Sequence, residues 1–306
     1  MSRRAAVSNF LNLLALAVLA GSLVAMMALG LSLIYRTTGV LNLAQGSLAA
    51  LGGYVALAAS RSMPMLLAVL LAVVVAAAAG VIIGFGIQSR LSRHSAVIAM
   101  VATLAAGVVL SQIEQQVWGS TPLFPNVIGL QPVRFGPLSL NRIDLWALVA
   151  AVGLALALTA FLRFSRAGLA IRAVADSTDG AKLSGIRAGR IQLLSWGIAA
   201  GLASVSGFFV ASPMGLLSPD FMNLYMVAAL IAAVIGGLGS LTGAIAGALI
   251  VSVAQSLFVS YAPTLTFGTK IIFLGSFTQT LVLVILIAVL LLRPRGLLGG
   301  TIGREV

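Results

Sequence analysis

Residues 163–192 read RFSRAGLAIRAVADSTDGAKLSGIRAGRIQ, the longest break in apolar character in the second half of the chain. Arg163, Arg166, Arg172, Lys182, Arg187 and Arg190 stand there against only Asp176 and Asp179. So polar a stretch must sit in water, and a basic excess beside two long apolar segments assigns it to the cytoplasmic side by the positive-inside rule. The pattern of Arg172, Ala173, Ala175 and Asp176 followed by Ala181, Leu183, Gly185 and Ile186 predicts a short amphipathic helix. It should end near Gly185, where glycine can adopt a left-handed cap. A helix lying across the membrane surface can hand force to a cytosolic partner.

The rest of the composition fits that placement. The chain of 306 residues is 60% hydrophobic and 8% charged, with a mean hydropathy of +1.15. No water-soluble core hides that much apolar surface, so the expected class is an all-α polytopic membrane protein forming a single transmembrane domain over residues 1–306. The net charge of +12 collects at segment ends rather than on one continuous face, which points to topology and not to nucleic acid. Cysteine is absent and His94 is the only histidine, so no metal site is expected. The six acidic residues, Glu114, Asp144, Asp176, Asp179, Asp220 and Glu305, all fall away from the centres of apolar segments. Ion-coupled carriers commonly keep ionisable groups or broken-helix ion sites at mid-membrane. Energy for uphill transport is therefore expected from outside this polypeptide. No grouped Ser, His and Asp, no paired carboxylates and no phosphate-cradling GxxxxGK[ST] occur, which excludes an ATPase on this chain and leaves an intramembrane enzyme without nucleophile or base.

Taken in order, residues 1–9 with Arg3 and Arg4 lead into an apolar run over 10–34, too long for a secretory signal and expected as an uncleaved first helix. Residues 36–59, RTTGVLNLAQGSLAALGGYVALAA, are interrupted by Asn42, Gln45 and Ser47 and by Gly39, Gly46, Gly52 and Gly53. That predicts a broken or re-entrant segment, since irregular backbone at membrane depth survives only where protein buries it or it lines a cavity. Spans are expected over 65–88, 95–117, 144–162, 193–211, 222–235, 241–260 and 271–292. The proline-rich stretch 118–143, between Trp118 and Trp146, reads as an extracytoplasmic loop with a small hairpin within 126–140. An even number of crossings must join Arg3 and Arg4 to Arg90 and Arg93 if both lie inside, yet three segments intervene. Either 36–59 does not cross, giving about eight crossings, or the amino terminus lies outside.

Two groups of residues remain. Gly80/Gly84, Gly197/Gly201 and Gly243/Gly247 have the spacing of close helix packing, whereas the cluster Gly236, Gly237 and Gly239 after a short helix suggests a bend or hinge. Asn42, Gln45 and Ser47, with Tyr54 further on, either bond neighbouring helices or line a path for a small polar solute.

At this point GLSLIYRTTGVLNLAQGSLAALGGYVA (residues 30–56), GLAIRAVADSTDGAKLSGI (168–186), PMGLLSPDFMNLYMVAALIAAVIGGLGSLTGAIAGALIV (213–251) and RPRGLLG (293–299) together resemble ABC-type branched-chain amino acid permeases. Asn42 resembles the LivH-like rather than the LivM-like subunit type. The resemblance implies an ABC importer permease architecture working with a second, homologous permease subunit, two cytoplasmic ATPase subunits and an extracytoplasmic solute-binding protein. ATP would bind the ATPases, with no cofactor on this chain. It also implies a bacterial inner-membrane location and a coupling loop over 165–190 in which Ala175, Asp176, Ala181 and Gly185 meet an ATPase. Asn42, Gln45, Gly46 and Ser47 would lie by the pathway. The loop departs from many ABC importers in lacking a Glu-Ala-Ala opening, and Gln45 stands where histidine is common. The competing expectation is a stand-alone ion-coupled carrier or channel for a small neutral solute.

Overall fold

In a bilayer an apolar run has no water to satisfy its backbone and must close its own hydrogen bonds, so it folds as helix. The computed structural model describes residues 3–91, 95–119, 132–135, 138–214, 217–267, 270–293 and 296–298. Arg93, His94, Pro122, Pro125, Pro137, Arg295 and Glu305 lie outside the described residues. The helices are α1 (Arg3–Thr38), α2 (Gln45–Ala59), α3 (Met65–Leu91), α4 (Ala96–Trp118), α5 (Arg142–Phe164), α6 (Arg166–Asp176), α7 (Thr178–Leu183), α8 (Ala188–Met214), α9 (Asn223–Gly236), α10 (Leu241–Tyr261) and α11 (Thr278–Leu292). Among the described residues, α1, α3, α4, α5, α8, α10 and α11 with the 3-10 turn before it are long and apolar enough to cross a membrane. Helix α9, with 14 residues, and α2, with 15, fall short of the ~20 residues a perpendicular crossing needs. Seven full spans, one short helix and one broken segment match the expected architecture.

Four details differ from expectation. The hairpin expected within 126–140 is there, as β1 (Pro132–Phe135) with β2 (Leu138–Asn141), but among the described residues a second, unexpected one joins β3 (Thr264–Phe267) to β4 (Lys270–Phe273). In the second, Thr264 pairs with Phe273 and Phe267 with Lys270, so residues 271–273 belong to a strand and not to the last span. The break in 36–59 begins only after α1 has run on to Thr38, with Gly39 at φ 70°. The single helix expected before Gly185 is two helices, because Ser177 ends α6 and caps α7. Its Oγ accepts from Gly180 N at 3.0 Å, which offers the backbone an alternative to continuing the helix. Gly185 itself has the expected positive φ, 80°.

The fourth concerns the crossings. Arg36 Nη2 lies 3.8 Å from Asp176 Oδ1, and Gln192 Nε2 donates to Thr37 O at 2.9 Å. The end of α1 thus meets α6 and the start of α8 on a basic face, while α1 also touches β2, on the hairpin face. Helix α2 then runs toward the hairpin face, where Tyr54 stacks on Trp118 at the end of α4, and α3 returns to the basic face beside Arg187 and Arg190. All three segments change depth, and it is the start of α1 that lies opposite the basic face.

Helices α1, α2 and α8 form the centre. Of the α8 span 78% is buried, against 11% for α11, so α11, α3, α4 and α5 leave apolar faces for lipid or another subunit. Small residues set the approach of α2 to α8: a Cβ on Gly207 would lie 1.8 Å from Ala49 O. The Gly80/Gly84 and Gly197/Gly201 pairs do pack as expected, joining α3 to α8 around Trp196, Val73 and Val81.

Candidate transport seam and coupling element

The break between α1 and α2 leaves orphan backbone groups, and Asn42 takes up one of them. Its Oδ1 accepts from Ala44 N at 3.0 Å, the geometry by which a short amide mimics a turn. Its Nδ2 donates to Gln45 Oε1 at 2.9 Å, and Gln45 Nε2 donates to Ala199 O on α8 at 3.0 Å. Both side chains are fully buried. The chain of three bonds pins the break to the centre of the bundle. Gly46 faces Met226 and Asn223 of α9, whereas Ser47 turns the other way, donating to Gly107 O at 3.0 Å and sharing a 3.0 Å bond with Ser111 Oγ on α4.

Helix α4 supplies the opposite wall of this seam. Thr103 Oγ1 accepts from Leu43 N at 2.9 Å, Gly107 gives room for Ala44, and Trp118 stacks on Tyr54 with centroids 5.1 Å apart. On the same face, between Ser111 and Trp118, Glu114 is 0% exposed. The acidic inventory gave this residue no role because it lies one turn from the end of α4. The signal that finds it is the spacing of Thr103, Gly107, Ser111, Glu114 and Trp118, a polar and small stripe on one side of an otherwise apolar helix.

The glycine cluster forms the turn from α9 to α10. Gly237 and Gly239 have φ of 103° and 87°, a region that side chains with a Cβ rarely enter. A Cβ on Gly236 would meet Gly243 O at 2.0 Å. The carboxy-terminal Gly296, Leu297 and Leu298 close over this turn, with Leu297 N donating to Ile235 O at 2.8 Å and Leu298 N to Gly236 O at 3.0 Å. Those bonds satisfy carbonyls that the end of α9 would otherwise leave open.

On the basic face, α6 starts on Ser165, whose Oγ accepts from Gly168 N at 2.8 Å, and buries Ile171 and Val174. Ala181 packs with Val174 and Ala188, so it anchors α7 from within. Ala175 is half-buried, and Asp176, Gly185 and Leu183 face outward. Leu183 is 92% exposed; the sequence pattern counted it in the amphipathic helix but gave it no role in a contact. Lys182 Nζ donates to Asp179 Oδ1 at 2.8 Å, and this bond holds the Asp179 carboxyl below its ordinary range. The element therefore presents a short rigid helix tip with one bare leucine, supported by a small apolar cluster.

The model of the family described as "Branched-chain amino acid transport system / permease component" matches residues 12–292. The chain is 31% identical over 299 residues to the probable branched-chain amino acid transport permease protein LivH of Methanocaldococcus jannaschii, covering 92% of this chain and 90% of that one. To the high-affinity permease protein LivH of Escherichia coli it is 29% identical, covering 91% and 92%. To BraD of Pseudomonas aeruginosa it is 30% identical, with the same coverage. Among solved structures, PsaBC from Streptococcus pneumoniae in complex with Fab shows a distant likeness, with 13% identity and a TM-score of 0.47 over 91% of each chain. The match takes in every helix that builds the seam and the α6–α7 element, and the chain belongs to the family of branched-chain amino acid transport system permease components.

Proposed function

We propose that the chain is the permease subunit of an ATP-driven ABC importer that carries branched-chain amino acids or related small polar solutes across the inner (plasma) membrane. The observation that carries this reading is the α6–α7 element, which stands out from the bundle on its basic face with Leu183 bare at the tip. Docking that tip on a partner would bury a leucine that the chain itself leaves exposed. The basic face is cytoplasmic, as Arg36, Arg172, Lys182, Arg187 and Arg190 favour, and the hairpin face is extracytoplasmic. The partners are a second homologous permease, two cytoplasmic ATPases that bind the ATP, and an extracytoplasmic solute-binding protein. Ala175, Asp176, Ala181 and Gly185 belong to the ATPase-contact element.

The solute path follows the α2–α4 seam past Asn42, Gln45, Gly46, Ser47 and Tyr54. These groups are sealed against α4, α8 and α9, so passage requires the helices to part. The turn at Gly236, Gly237 and Gly239 is placed to let α9 and α10 change their angle. Replacing residues 176–185 by a flexible linker should abolish ATP-dependent uptake in proteoliposomes holding the full complex. Undiminished uptake would refute the coupling role. Transport by the purified chain alone, blocked by an uncoupler and indifferent to ATP, would favour an ion-coupled carrier instead.

A further inference from the structure

The hairpin-face end of the seam contains polar atoms with nothing to bind. Glu114 is 0% exposed, and neither of its carboxylate oxygens has a hydrogen-bond partner. Tyr54, 1% exposed, has an equally unpartnered Oη. Glu114 and Asp220 both lie within electrostatic reach of Tyr54, and Asp220 within reach of Glu114. Asp220, in the turn before α9, accepts from Asn223 Nδ2 at 3.0 Å. Aromatic rings wall the same place: Tyr54 stacks on Trp118 at 5.1 Å and meets Phe221 edge-on at 6.4 Å. The ion pairs among the described residues, Arg36 with Asp176 and Lys182 with Asp179, are both on the basic face. Among the described side chains neither Glu114 nor Asp220 takes part in an ion pair.

Buried polar groups normally find partners, and a sealed carboxylate with none is a costly exception that calls for a function. Two carboxylates, a phenol oxygen and three aromatic rings share one preference. Each favours a compact cation with N–H donors: the carboxylates through charge-assisted hydrogen bonds, the rings through their π faces. We propose that Glu114, with Tyr54 and Asp220, is a recognition site for the α-ammonium group of the transported amino acid at the hairpin-face mouth of the seam. The proposal rests on the permease reading, because that face is where an incoming solute would first meet the chain. The carboxyl group stays unpaired while the seam is closed and receives the ammonium, as a carboxylate, when α4 parts from α2. A solute without an ammonium would leave the carboxylate unpaired, which makes the site selective as well as attractive.

The test uses the assembled, nucleotide-free transporter in nanodiscs without its binding protein, and measures equilibrium binding of radiolabelled leucine. Leucine should bind, 3-methylbutylamine should displace it, and 4-methylpentanoate, which lacks the amine, should not. Glu114→Gln should weaken leucine binding at least about tenfold, the size expected for one lost charge-assisted bond. Glu114→Asp should retain part of the binding, with assembly of each variant checked by gel filtration. Absence of leucine binding to the wild type, displacement by 4-methylpentanoate, equal displacement by sodium chloride, or unchanged binding in Glu114→Gln would each overturn the proposal. ATP-driven leucine uptake by the complete wild-type system tests the permease reading separately. Uptake by Glu114→Gln with an unaltered KM would sink this site and leave that reading standing.

Discussion

Leu183 is the side chain on which the proposed ATPase contact can be tested most directly. An apolar residue 92% exposed at a helix tip has about 1.5–3 kcal/mol to gain from full burial, which is roughly a tenfold to hundredfold effect on docking. Leu183→Asp should therefore lower ATP-dependent uptake by at least about tenfold while leaving the melting temperature of the permease unchanged, because nothing among the described residues packs closely on it. Equal uptake would mean that the tip is not a contact. Gly207 makes the opposite case. A Cβ there would sit 1.8 Å from Ala49 O, and since that atom is backbone, α2 and α8 must separate to admit it. Gly207→Ala should cost about 3 kcal/mol, at the upper end of overpacking effects, seen as a large loss of thermal stability in detergent. Glu114 lies between these extremes. It shares a polar stripe that is visible in the sequence, but only the packing of α4 on α2 shows that the carboxylate is sealed.

At the scale of elements, α7 has six residues and depends on its ends. Ser177→Ala removes the cap from Gly180 N and should destabilise this helix by about 1 kcal/mol. The effect should appear as greater mobility of a spin label on residue 184 with no change at the centre of the bundle. The Asp179–Lys182 bond adds a pH dependence of known sign. Asp179 is held below its unfolded value, so its contribution is present above that value and is lost as pH falls through the folded one. The label on residue 184 should loosen toward acid in the wild type, and Asp179→Asn should remove that trend. Much of the element pattern was legible beforehand. The long apolar runs had one solution, and glycines with Asn42 and Gln45 betrayed the break before α2. What escaped were places where two readings of the same residues compete. Ser177 could continue a helix or cap the next one, and its side-chain bond decides. Ile271 and Ile272 suit a span as well as a strand, and their cross-strand partners Thr266 and Leu265 decide. The seam itself was half legible: Asn42, Gln45 and Ser47 stood out, but which helix each would meet depended on contacts distant in sequence.

At the scale of the molecule, the least legible property was the parity of the crossings, because charge at the ends of segments fixes a face only when every segment is known to cross. Here the packing decides it: Arg36 joins Asp176 at one end of α1, and Tyr54 joins Trp118 at the far end of the next helix. It follows that the α2–α3 turn, with exposed Ser62, and the α7–α8 turn, with exposed Ser184, lie on opposite sides of the membrane. The chain has no cysteine, so a single introduced thiol would be its sole target for a membrane-impermeant maleimide. Ser62→Cys should label in intact cells, whereas Ser184→Cys should label only after permeabilisation, with at least about a tenfold difference between the two in each condition, as the bilayer barrier to a charged reagent requires. If α2 instead doubled back to the face that α1 reaches, both thiols would label from the same side. That single result would undo the depth order of α1, α2 and α3, and with it the placement of the proposed Glu114 site on the face opposite the α6–α7 element.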